Sequence, residues 1–155
     1  MGINNAARIS DLLELKAGDF RNIKSGQVHP FKEARTGKIN YIVVNDAVRY
    51  ALDHHFERYG RDSDEYLFKS FKGKNQPIRI HHVNKLVKKW TRDIGLEGNF
   101  GAHTLRKTWG YQQRVRYGVG FDVLCKRYNH PGPSYTMRYL GFEERDLEGF
   151  LMNEI

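Results

Sequence analysis

Five polar side chains stand where a hydrophobic core has no use for them, and together they can do phosphate chemistry. His103 and Arg106 lie three apart in His103-Thr104-Leu105-Arg106. On a helix that spacing puts them on one face, with Leu105 and Trp109 on another, buried face. Arginine forks onto two phosphate oxygens, and histidine moves a proton near neutral pH. Taken alone, such a pair is usually a solvated or capping pair. His130 and Tyr139 lie nine positions apart, with Pro131-Gly132-Pro133 as the bend and a helical turn leading into the tyrosine. A phenol becomes a covalent nucleophile when it is held in line and its charge is stabilised. Taken singly, one tyrosine of nine is a core or interface aromatic. Arg8, just ahead of an apolar helical stripe, is by itself an ordinary surface arginine.

Periodicity identifies the elements that must carry these groups. Arg8 to Lys16 reads as a short helix with Ile9, Leu12, Leu13 and Leu15 on its stripe, closed by Gly18-Asp19. It begins almost at Met1, so packing from outside this chain is expected ahead of it. Strand-like pieces at Phe20 to Ile23, Gln27 to Lys32 and Ile39 to Val44 are separated by Lys24-Ser25-Gly26 and Arg35-Thr36-Gly37-Lys38. They predict a three-stranded antiparallel meander. Asn45 or Asp46 caps a helix running to Tyr59, with Val48, Leu52 and Phe56 recurring every four residues, and Gly60 stops it. After the basic loop Lys69 to Pro77, a helix from about Arg79 to Ile94 carries Val83, Leu86, Val87, Trp90 and Ile94 on one stripe. Further helices are predicted over Ala102 to Tyr117, Asp122 to Tyr128 and Ser134 to Leu140, and an amphipathic one over Glu143 to Met152. The expected fold is mainly α with a small three-stranded antiparallel sheet (α+β), in one domain over 1–155.

Composition narrows the setting. A chain of 155 residues, 39% hydrophobic and 28% charged, suits one soluble globular domain that buries roughly 70% of its unfolded surface. No apolar run reaches a membrane span, and MGINNAARIS has no signal-peptide core. Cys125, the single cysteine, makes neither an internal disulfide nor a thiolate metal cluster and reads as a small buried residue, so a reducing cytoplasm is the expected home. The adjacent pairs His54-His55 and His81-His82 point to different helix faces and make poor chelates, so no metal site is expected. Lys+Arg minus Asp+Glu is 26 − 18 = +8, a balance that brings nucleic acid to the front. The acids concentrate at the end, with five between Glu143 and Glu154 against one arginine. The basic surface therefore lies upstream.

Taken together, the boxes carry more than their parts. Ala6-Ala7-Arg8-Ile9-Ser10-Asp11-Leu12-Leu13-Glu14-Leu15 resembles the first arginine box of the tyrosine recombinases, the bacteriophage integrase family. Gly101-Ala102-His103-Thr104-Leu105-Arg106-Lys107-Thr108 resembles the second box, and Asn129 to Tyr139 (NHPGPSYTMRY) the third, ending on the family's nucleophile. The resemblance covers essentially the whole chain. It implies the integrase catalytic-domain fold and site-specific DNA strand cleavage and rejoining through a 3′-phosphotyrosyl intermediate.

Residue by residue, the resemblance implies that Tyr139 attacks the scissile phosphate, that Arg8 and Arg106 stabilise the transition-state charge, that His103 assists proton removal and that His130 donates to a phosphate oxygen. One position departs from the family, whose turn often reads Lys-Thr-Gly-Lys with a lysine as general acid. Here the first basic residue is Arg35, a poor proton donor, so Lys38 is assigned that role; the alternative is that Lys38 only touches phosphate. Arg35, Lys69, Lys72, Lys74, Arg79 and Lys107 are expected against the DNA backbone. Lys85, Lys88, Lys89 and Arg92 do the same or form a solvent face. No cofactor, metal ion or ATP is called for, because the phosphotyrosine bond stores the energy of the cleaved diester. The implied partners are double-stranded DNA and further copies of the chain, a tetramer in the synapse and a monomer without DNA, with no membrane and no small-molecule substrate. Family members carry an N-terminal core-binding domain, so the chain reads as a catalytic domain without it, with 141–155 available for protomer contacts. The competing reading is a DNA-binding relative that has lost catalysis.

Overall fold

Caps and glycines end the helices close to where the sequence puts them. In the computed structural model, which describes residues 1–60 and 62–143, the chain divides into two compact units, Met1–Arg106 and Lys107–Ile155. The first holds α1 (Ile9–Leu13), α2 (Gly18–Arg21), β1 (Val28–Lys32), β2 (Ile39–Val43), α3 (Asp46–Tyr59), α4 (Ile80–Asp93) and the start of α5 (Ala102–Tyr117). The second holds the rest of α5, α6 (Phe121–Tyr128) and α7 (Pro133–Leu140). Asn45 caps α3 by accepting the Val48 N–H at 3.0 Å, and Gly60 ends it in the left-handed conformation.

Among the described residues the sheet has two strands, not three. β1 and β2 pair antiparallel from Val28 with Val43 to Lys32 with Ile39. The expected strand over Phe20 to Ile23 does not form, because its carbonyls are engaged elsewhere. Arg49 Nη1 donates to the carbonyls of Phe20 and Ile23, each at 2.7 Å. Phe20 itself sits in the short helix α2 and is fully buried. The outer edge of β2 is taken by a side chain: the Asn5 amide donates to the Val43 carbonyl at 3.1 Å and accepts the Val43 N–H at 2.8 Å, as a neighbouring strand would.

α1 stops at Leu13, short of the predicted Lys16, because the main chain of Leu15 and Ala17 bonds across to the 65–67 segment instead of continuing the helix. The Leu15 carbonyl accepts the Leu67 N–H, and the Ala17 N–H donates to Glu65, both at 2.8 Å. The core of this unit is built from Ala7, Leu12, Leu15, Phe20, Ile42, Val44, Val48, Leu52 and Leu67. A smaller cluster of Leu13, Val83, Val87 and Ala102 ties α4 to the start of α5. The α4 stripe is only partly covered, since Trp90 and Ile94 are exposed.

In the second unit Leu124, Cys125, Tyr128, Thr136 and Leu140 are buried along α6 and α7. Gly110 of α5 makes room for Tyr128: a Cβ there would run into the tyrosine hydroxyl and ring. The amphipathic helix expected over Glu143 to Met152 lies, from residue 144 on, outside the described residues. Among the described residues, no helix is long and apolar enough to cross a membrane.

Candidate functional site

The predicted polar residues fall into a group in each unit. In the first, Arg8 is the N-cap of α1, extended at φ −70° and ψ 145°, which frees its side chain from the helix. Its Nη1 lies 2.7 Å from Glu33 Oε2 and 4.0 Å from Asp11 Oδ2. Glu33 and Asp11 are both buried. Far from an ordinary surface arginine, Arg8 lies against two buried carboxylates.

Glu33 stands at the head of the turn between β1 and β2. Its side chain accepts from Arg8, from Thr36 Oγ1 at 2.6 Å and from Asn40 Nδ2 at 2.7 Å. Burial pushes its carboxyl upward, but these donors and the Arg8 charge outweigh it and bring the pKa down from its ordinary 4.5 to about 2. Asp11 goes the other way. Burial dominates and raises it, against the Ala34 N–H and the charges of Arg8 and Arg106. Its Oδ1 accepts that Ala34 N–H at 3.1 Å, which ties the turn to α1.

Arg35 and Lys38 are exposed on this turn, where Gly37 takes φ +68°, a left-handed value that favours glycine. His103 and Arg106 begin α5, whose first turn is set by α4: Asn84 Oδ1 accepts the Ala102 N–H at 2.7 Å. The expected shared face holds only in part. His103 is exposed, whereas Arg106 is 4% exposed and close enough for its charge to act on Asp11. Leu105 and Trp109 are half-buried.

In the second unit the bend does what the spacing requires. Asn129 ends α6 in the left-handed conformation (φ 56°), the His130 N–H donates to the Cys125 carbonyl at 3.1 Å, and Pro133 starts α7. This brings His130 and Tyr139 together, their ring centroids 5.0 Å apart and the planes at 75°. Tyr128 stacks on His130 at 5.0 Å and meets Tyr139 edge-on at 5.4 Å. Nδ1 of His130 lies 2.9 Å from Thr136 Oγ1. The Lys107 ammonium sits 5.1 Å from the centre of the Tyr139 ring. Lys107, the residue also expected at the DNA backbone, is exposed.

The remaining basic residues are spread along the first unit. Lys72 and Lys74 are exposed in a loop closed by Ser70 N–H to Gln76 O at 2.7 Å, and Arg79 is exposed at the start of α4. Lys69 is half-buried and ion-paired with Glu65. Sequence reading missed Glu33, Asp11, Thr36 and Asn40. A signal was present: Asp11 follows Arg8 by three, and Glu33 is the one acid in a basic hairpin.

Residues 3–144 match the phage integrase family, and the chain belongs to that family. The probable integrase/recombinase YoeC of Bacillus subtilis strain 168 is 35% identical over 148 residues, covering 92% of this chain and 75% of that protein. Among solved structures, the XerA recombinase matches with a TM-score of 0.75 at 16% identity, covering 99% of this chain. XerH site-specific recombinase, bound to palindromic difH substrate in a post-cleavage complex, matches at 0.71 and 21% over 96% of this chain. A lambda integrase dimer bound to a COC' core site matches at 0.63 and 16% over 99%. At these identities the likeness establishes the fold, a mainly helical domain with a small antiparallel sheet. The chain spans 56%, 42% and 52% of those three chains, respectively.

Proposed function

We propose that this chain cleaves and rejoins double-stranded DNA at specific sites through a 3′-phosphotyrosyl intermediate, as an integrase of a phage or mobile element. The observation that carries the reading is the second-unit cluster: His130 and Tyr139 are packed ring to ring, with the Lys107 ammonium over the tyrosine. A fixed ring beside a cation and an imidazole is what an in-line phenolic nucleophile needs. Tyr139 oxygen attacks phosphorus, the bond to the 5′ oxygen breaks, and His103 assists removal of the phenolic proton. Lys38 protonates the departing 5′ oxygen. Arg8 and Arg106 stabilise charge on the non-bridging oxygens, with His130 as a further donor. Exposed Arg35, Lys72, Lys74 and Arg79, with Lys69 and Lys107, hold the DNA backbone. On DNA the acting assembly is a tetramer; without it the chain is a monomer. The DNA-bound XerH and lambda integrase structures support DNA as the partner.

A second reading has one residue in its favour. Arg35 occupies the place where relatives are expected to carry a lysine, so a DNA-binding relative without catalysis is the alternative. A nicked suicide duplex carrying the attachment site separates the two. Wild type should give a covalent protein–DNA band on a denaturing gel, and Tyr139→Phe should bind DNA with no band. A band in Tyr139→Phe refutes the nucleophile. No band from wild type, despite salt-sensitive binding, supports the non-catalytic relative.

A further inference from the structure

Glu33 has no part in the roles above, yet it joins two of them. The residue is 1% exposed, and a buried carboxylate is costly unless its oxygens are satisfied. Both Arg8 Nη1 and Thr36 Oγ1 donate to the same oxygen, Oε2, at 2.7 Å and 2.6 Å, while Asn40 donates to Oε1. The Glu33 main chain holds the same turn. Its N–H donates to the Lys38 carbonyl and its carbonyl accepts the Gly37 N–H, each at 2.9 Å. The Thr36 hydroxyl also accepts the Lys38 N–H at 3.3 Å. A continuous relay therefore runs from the Arg8 guanidinium through Glu33 Oε2 and the Thr36 hydroxyl to the backbone of Lys38.

We propose that Glu33 is a positioning residue: through Oε2 it holds Arg8 and the Arg35–Lys38 turn in one fixed relation, with the Thr36 hydroxyl as its link to the turn. The inference rests on the strand-transfer reading above, in which Arg8 stabilises charge and Lys38 supplies a proton. Residues 34 to 39 are all exposed, and Gly37 adds backbone freedom, so the turn has little packing of its own to fix it. Reacting groups must be held to within about 0.5 Å of their productive placement, and a buried, multiply bonded carboxylate provides such an anchor.

Thr36 gives the cleaner test, because it is exposed and its substitution leaves the core intact. Thr36→Val removes the hydroxyl at nearly constant shape, and Thr36→Ser keeps it. The first readout is amide hydrogen exchange on the free protein. Gly37 and Lys38 should exchange faster in Thr36→Val and return toward wild type in Thr36→Ser, while α3 amides stay unchanged. Unchanged exchange at Gly37 and Lys38 in Thr36→Val overturns the inference, whatever a cleavage assay returns. The second readout is single-turnover formation of the tyrosyl adduct. Thr36→Val should slow it about tenfold, the scale of one hydrogen bond to a charged group, with DNA affinity unchanged and recovery in Thr36→Ser. A wild-type rate in Thr36→Val, or no recovery in Thr36→Ser, also overturns it. Absence of adduct in wild type sinks the strand-transfer reading instead, and the exchange data then decide the fate of the anchor by themselves.

Discussion

Acid should weaken the first unit through Glu33 in a way one substitution can isolate. Hydrogen bonds from Thr36, Asn40 and Arg8 overcome burial and hold its pKa at about 2, against an ordinary 4.5. A native pKa below the unfolded one means that the carboxylate stabilises the fold fully above pH 4.5 and progressively less as the pH falls toward 2. A drop of roughly two and a half pH units, at about 1.4 kcal/mol each, corresponds to about 3 kcal/mol. Asp11 has the opposite sign. Burial raises it, so its stabilising contribution is present in acid and is lost as the pH rises through its native value. Both proteins in the comparison carry Asp11, and burial, the main cause of its shift, is common to them; only the smaller effect of the Glu33 charge on it is removed by the substitution. Urea unfolding of wild type and Glu33→Gln should be followed from neutral pH down to about 2. Glutamine also mispairs with Asn40, which adds a constant offset, so the quantity of interest is the change in the difference with pH. That difference should shrink by about 3 kcal/mol between neutral pH and pH 2. A difference that stays flat across this range would refute the reasoning, because the cost would then be packing rather than ionisation.

Two further perturbations test the packing. Gly110→Ala puts a methyl group into the fully buried Tyr128, so thermal unfolding should show a loss of about 1–3 kcal/mol despite alanine's better helix propensity; an unchanged or raised Tm would contradict the close approach. Arg49→Ala strips the donor from the Phe20 and Ile23 carbonyls and should cost about 1–3 kcal/mol by urea unfolding, with faster hydrogen exchange around α2. Unaltered stability there would mean that the guanidinium does not hold that segment.

Local patterns served well where a local cause decides the outcome. The cap at Asn45, one of two candidates with Asp46, the left-handed stop at Gly60 and the four-residue recurrence of Val48 and Leu52 are effects of near neighbours, and α3 ends at the predicted Tyr59. α5 likewise spans the predicted Ala102 to Tyr117. The Pro131-Gly132-Pro133 bend placed His130 near Tyr139 for the same reason: the geometry is made within a dozen residues. The failures were all long-range. A β-prone run from Phe20 to Ile23 reads as a strand until Arg49, 29 residues beyond Phe20, takes its carbonyls.

The amino-acid sequence by itself determined the helices α3 to α7, the hairpin of β1 and β2, the boxes of polar residues and, through their order, the family. Tertiary structure alone decided which of those residues sit in water and which in the interior. Arg8 and Glu33, 25 residues apart, become an ion pair, and Arg106 is buried while His103, three residues earlier on the same helix, is exposed. Spacing along a helix sets the direction in which a side chain points. Its depth depends on what the rest of the chain lays against it, and burial turns an otherwise ordinary arginine and glutamate into a network that fixes a turn.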